Sequence, residues 1–144
     1  MFFICQSMDA NACETIALNI KFHDLQTKIR VEIADSFSKR KKGLMFRKPL
    51  ALDSGMLFVY GYPQKAKFWM KNTLIPLDIA FADNTGRVVT LVQHTKPLTH
   101  DLIDGGEDIQ YVLEINAGMA KKVNLFEGSM LEHPIIGLNA GKFC

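Results

Sequence analysis

The chain has 144 residues, 48% hydrophobic and 22% charged, with a net charge of +2. That is one ordinary domain, able to bury about 68–70% of its unfolded surface without metals or disulfides. So small a positive charge argues against nucleic acid as a partner, because that binding rests on many Lys/Arg–phosphate contacts, and no apolar run reaches the roughly 18 residues of a transmembrane span.

The three cysteines, Cys5, Cys13 and Cys144, lie outside the expected domain body and show no CxxC or Cys/His spacing. Neither a zinc site nor a catalytic thiol is expected. Residues 1–14 begin with the apolar burst Met1-Phe2-Phe3-Ile4 and contain Ala10-Asn11-Ala12, an A-x-A pattern. This segment reads either as the remnant of a secretory signal, placing the protein outside the cytoplasm, or as a disordered tail.

Residues 15–133 read as one β-rich domain. Ile16, Leu18, Ile20 and Phe22 alternate with Ala17, Asn19 and Lys21, and Ile29, Val31 and Ile33 alternate with Lys28, Arg30 and Glu32. Both are period-two patterns of half-buried strands, joined in a hairpin around Asp24. Asp35-Ser36 is helix N-cap chemistry. Phe37, Leu44 and Met45 then share a helical spacing, which predicts a short amphipathic helix ending near residue 45 or 46.

Residues 56–60 form an apolar run between Gly55 and Gly61, and 68–71 a shorter one; both read as strands. Leu77, Ile79 and Phe81 alternate with Asp78 and Ala80, and Asp83-Asn84-Thr85-Gly86 turns the chain into a returning strand over 88–92. Residues 94–108, with Pro97 and Gly105-Gly106, show no period and read as a long loop. Tyr111, Leu113 and Ile115 mark another strand, residues 116–126 a short helix, 130–132 a last strand and 134–144 a C-terminal tail. Many short strands with two short helices predict a mainly β domain, either a β-sandwich of jelly-roll kind or a partly closed barrel.

The most informative segment is Lys67-Phe68-Trp69-Met70-Lys71-Asn72-Thr73-Leu74-Ile75-Pro76-Leu77-Asp78, which holds the only tryptophan. On a strand ending near Lys71, Trp69 and Lys71 share a face. Asp78 projects opposite Leu77 and Ile79, and Glu114 opposite Leu113 and Ile115. Trp69, Lys71, Asp78 and Glu114 would then line one polar-aromatic face, with Asn72 and Thr73 at its rim. Such a face would suit a small-molecule ligand. Two carboxylates beside a cation would also serve as an acid/base pair, on a carbohydrate for example. The same residues equally make a structural lysine–carboxylate pair and an Asx-type turn ahead of Pro76.

Met45, Met56 and Met70, with His94 or His100, are ligand types that suit soft metals such as Cu(I), although Met is more often core filler, and no metal site or cofactor is assigned. The run Lys39-Arg40-Lys41-Lys42 would bind an anion or simply form a solvated helix face favoured by the helix dipole. Arg47, just past the helix, is placed to turn inward and pair with a carboxylate. No GxSxG, phosphate-binding glycine loop or dinucleotide fingerprint is present.

Four ordered blocks carry a family resemblance. They are Lys41-Lys42-Gly43-Leu44-Met45-Phe46-Arg47, Gly55-Met56-Leu57-Phe58-Val59-Tyr60, Phe68 through Phe81, and Tyr111-Val112-Leu113-Glu114-Ile115-Asn116-Ala117-Gly118. Together, over about residues 16–132, they resemble the bacterial and archaeal family called domain of unknown function 192. The resemblance implies a compact jelly-roll-like β fold with short helices and, because members are often exported, favours the signal-remnant reading. It implies no activity and no cofactor.

Overall fold

The computed structural model describes residues 15–137. The signal-remnant and tail readings of 1–14, and of 138–144, fall outside the described residues. The elements in chain order are β1 (Thr15–Phe22), β2 (Leu25–Ala34), α1 (Phe37–Lys42), β3 (Ser54–Phe68), β4 (Leu77–Ala82), β5 (Val88–Val92), β6 (Ile103–Asn116), α2 (Met119–Lys122) and β7 (Met130–Glu132).

All seven strands form one sheet in the order β5-β4-β6-β3-β2-β1-β7. Every pairing is antiparallel except β2 with β3, which run parallel from Arg30↔Ser54 to Ala34↔Phe58. A parallel pair cannot be closed by a hairpin and needs a crossover; residues 35–53, carrying α1, supply it. The two outermost strands bend round to meet. Arg87, just before β5, bridges Met130, and Val88 N–H donates to Ser129 O while Leu131 N–H donates to Gly86 O, each at 2.8 Å. The sheet is therefore a partly closed barrel, the second of the two architectures the sequence suggests.

Both faces of the sheet are covered, and they differ. Every strand contributes to one apolar cluster, which includes Leu18, Ile20, Val31, Leu57, Ala80, Val88, Leu113 and Leu131 together with Ala120 of α2. This is the inside of the curl. The buried strand residues of the second cluster come from β2, β3, β4 and β6, with Met56, Phe58, Ile79, Phe81 and Val112; Val92 of β5 packs against it, and Leu44 and Met70 cap it from outside. Double coverage explains why all six residues of β4 are buried, where alternation with a wet face was expected. Packing continues past Pro134: Ile135 is buried in the inner cluster, and the Gly137 N–H donates to the Tyr111 hydroxyl at 3.1 Å.

Four elements differ from the sequence expectation, one of them α2, which spans only Met119–Lys122 where a helix over 116–126 was expected. α1 ends at Lys42 and buries none of its residues; Phe37 stands in solvent, and Leu44 enters the core only after the chain has left the helix. β3 continues through Gly61 and Pro63 to Phe68, so two expected strands are one, and Lys71 lies in the turn beyond it. β6 begins at Ile103, inside the expected loop. The β3–β6 ladder shifts register between Val59 and Lys67, and such bulges erase the period that sequence reading depends on. Gly105, read as loop, is required by close approach: a Cβ there would enter the Phe81 ring.

Candidate functional site

The outer face carries a cavity of about 320 Å³ between α1, the end of β3 and the Trp69 turn, with Glu114 at its floor. Its walls are set by local structure. Ser36 caps α1 by accepting from Lys39 N–H at 3.2 Å, and Gly43 ends it at φ 48°, a conformation glycine adopts without steric cost. Arg40 is thereby aimed at β3, where Nη1 donates to Val59 O at 2.9 Å and the guanidinium lies 5.0 Å from the Tyr60 ring centroid.

At the other wall, Phe68 packs edge-on between Phe58 and Phe81, with centroids 5.2 and 5.5 Å away, which fixes the end of β3. Beyond it Trp69 is 45% exposed. The Lys71 ammonium lies 5.1 Å from the Trp69 ring, and His100 stands against the same indole with centroids 5.8 Å apart. Asn72 takes a left-handed turn at φ 57°, and its carbonyl accepts from Phe46 N–H at 2.8 Å, tying this turn to the segment that trails α1. Thr73 is buried behind the rim; its carbonyl accepts from Leu98 N–H at 3.1 Å, so the loop before β6 clips onto the turn.

Glu114 reaches the cavity from β6. Its cross-strand neighbours are Met56 and Ile79, both members of the outer cluster, so it occupies an apolar face. It is 6% exposed. Among the described residues it has neither a hydrogen bond nor an ion pair, although Lys67 and Lys71 line the same cavity. Burial pushes its carboxyl up to about 8, so at neutral pH it is a neutral acid with one O–H to donate. Burial also raises the Tyr60 phenol, with Arg40 opposing and Glu114 adding to the rise.

The structure parts the two carboxylates that the sequence suggested as a pair. Asp78 lies opposite Ile115 in the β4–β6 ladder, while Glu114 lies opposite Ile79. Side chains alternate along each strand, so the two residues point to opposite faces of the sheet. Asp78 is wholly buried on the inner side. It accepts from His94 N–H at 2.9 Å on Oδ1 and from Gly118 and Ala120 N–H, each at 3.0 Å, on Oδ2. It holds α2 and the loop after β5 to β4, and does not line the cavity. Arg47 also lies apart: it pairs with Glu32 and lines a neighbouring hollow on the other side of Gly43.

Of the expected site residues, Trp69, Lys71, Asn72, Thr73 and Glu114 come together at one cavity, and Asp78 and Arg47 do not join them. Tyr60 and Lys67 are lining residues that site reasoning from the sequence missed. Arg40 belongs to the basic run read either as an anion site or as a solvated helix face, and it lines the cavity with Lys41 and Lys42. The soft-metal candidates are dispersed among roles: Met56 and Met70 are buried in the outer core, Met45 lines the cavity, and His94 is held through its backbone. Among the described residues no three His, Cys, Asp or Glu side chains gather as metal ligands, and no helix is long and apolar enough to cross a membrane.

The family model for DUF192, described as Uncharacterized ACR, matches residues 19–133. Among solved structures, a Sinorhizobium meliloti protein provisionally named a transcription regulator is similar at 35% identity and a TM-score of 0.79, covering 82% of this chain and 92% of that one. A Novosphingobium aromaticivorans protein of unknown function is similar at 32% identity and the same TM-score of 0.79, covering 83% of this chain and 85% of that one. No curated protein matches the chain. Matched by one family model over most of its length, and built as these relatives are, the chain belongs to the DUF192 family.

Proposed function

We propose that the protein is a small-molecule binding module whose ligand occupies the cavity between α1 and the Trp69 turn. One observation carries this reading: Glu114 is more than nine-tenths buried on an apolar face, lacks a partner among the described residues and opens only to the cavity. Holding a carboxyl on an apolar face costs desolvation, which pushes its pKa up to about 8, and among the described residues no hydrogen bond offsets that cost. A leucine would pack against Met56 and Ile79 at no such cost. A volume of about 320 Å³ is at the lower end of the range for small-molecule sites, roughly 300–1,000 Å³. A two-carboxylate enzyme is less well supported, because Asp78 stands across the sheet.

Trp69, as the only tryptophan, gives a single indole N–H resonance for a ¹H–¹⁵N fragment screen. Binders should shift that resonance together with the amides of Gly43 and Asn72, and leave Ala120 and Gly118 behind the sheet unmoved. Binders that cluster elsewhere, or a screen that never moves the indole, would remove the proposal.

A further inference from the structure

The geometry points to the chemical class of that ligand: we infer that the cavity receives an organic anion, a flat apolar body bearing a carboxylate or phosphate group, with Glu114 donating a hydrogen bond to the anionic head. This rests on the reading of the cavity as a ligand site.

The charged side chains that line the cavity with Glu114 are cationic. α1 presents Arg40, Lys41 and Lys42, β3 presents Lys67 and the Tyr60 phenol, and the turn presents Lys71. Among the described residues Glu114 is the only carboxylate in the lining, so the local field draws anions in and repels cations. The aromatic faces agree. A site for a cationic ligand needs open π faces, but Arg40 already lies over Tyr60 and Lys71 over Trp69. Those contacts remove cation sites and hold two donors in place before any ligand arrives. The edges of Phe58 and Phe68 leave an apolar wall for the body of the molecule.

Glu114 fits an anion only while it keeps its proton. Burial holds the proton on up to about pH 8; below that the group donates to the incoming head, and above it two negative charges would meet in a desolvated site. The Tyr60 phenol, raised by burial above its ordinary value, keeps its proton across this range, and Glu114→Gln isolates the part of any change across pH 8 that belongs to Glu114.

The test uses four probes that share one ring: benzoate, phenyl phosphate, benzyl alcohol and benzylamine, each titrated against the Trp69 indole resonance at pH 7 and pH 9. Benzoate or phenyl phosphate should give saturable shifts at pH 7, and the tighter of the two identifies the head group. Their affinity should fall roughly tenfold by pH 9, the equivalent of one lost hydrogen bond of about 1.4 kcal/mol. Glu114→Gln, which keeps a neutral donor, should retain binding and lose the pH dependence, while Lys67→Ala, at an exposed position, should weaken both anions.

A shift with benzylamine in place of the anions, or with benzyl alcohol as strong as with benzoate, would overturn the anion assignment and leave the binding module standing. So would loss of benzoate binding in a folded Glu114→Gln variant. If no probe moves the indole, both the anion assignment and the binding reading fall.

Discussion

Asp78 accepts three backbone N–H groups from two segments distant in sequence. A buried carboxylate in that setting is a fastener: its charge strengthens each bond, and its removal would leave three buried donors with a poorer acceptor. Asp78→Asn keeps the shape, loses the charge and presents one N–H₂ to donors. It should cost about 2–4 kcal/mol, seen as a lower urea midpoint. Below its melting transition the variant should bind any Trp69-shifting probe as the parent does. A parent-like midpoint would mean the three bonds contribute little; lost binding in the folded variant would place Asp78 in the site after all. Glu114 has the same local sequence context, a carboxylate between aliphatic residues, and the opposite role. Nothing within a single strand distinguishes them. Which residue faces which side depends on how β4 and β6 are registered, and that is set by long-range pairing. Trp69, Lys71, Asn72 and Glu114 were legible as a polar group in apolar surroundings; the separation of Asp78 from them was not.

Among the elements, α1 shows how a short helix is held without a buried face. Its N-cap is Ser36, its C-cap is Gly43, and Arg40 fastens it to the carbonyl of Val59. Gly43 has φ +48°, and a Cβ there would sit 3.1 Å from the Phe58 ring. Gly43→Ala should therefore cost about 1–2 kcal/mol and displace α1 from the cavity mouth. Chemical denaturation should show the loss, and anion probes should bind more weakly even where the variant is fully folded. An unchanged midpoint would mean the cap relaxes freely. The N-cap at Ser36 was legible, as were the β1–β2 hairpin, the β4–β5 hairpin and β7, because local chemistry and an unbroken period two specify them. The far half of β3 and the near half of β6 were not. Gly61, Pro63, Gly105 and Gly106 read as breakers when taken alone, and only the pairing of the two bulged strands with each other makes them a ladder.

The molecule as a whole is stiff in the middle and weakly joined at the edges. β3 and β6 lie at the centre of the sheet and pair along most of their length, whereas β5 and β7 meet through one bridge and a few hydrogen bonds around Val88, Gly128 and Leu131. Native-state hydrogen exchange should rank these regions. The amides of Val88 and Gly128 should exchange roughly a hundredfold faster than those of the β3–β6 pairing, through local opening of the join. Equal protection would mean the barrel opens only when it unfolds.

The cavity hangs on the outer side of β3 and β6, away from that join. A molecule bound beneath Trp69 grips the stiffest part of the structure and has little leverage on the part that gives. If the proposed site is occupied, the effect would be local, confined to the surface formed by α1, Trp69 and His100.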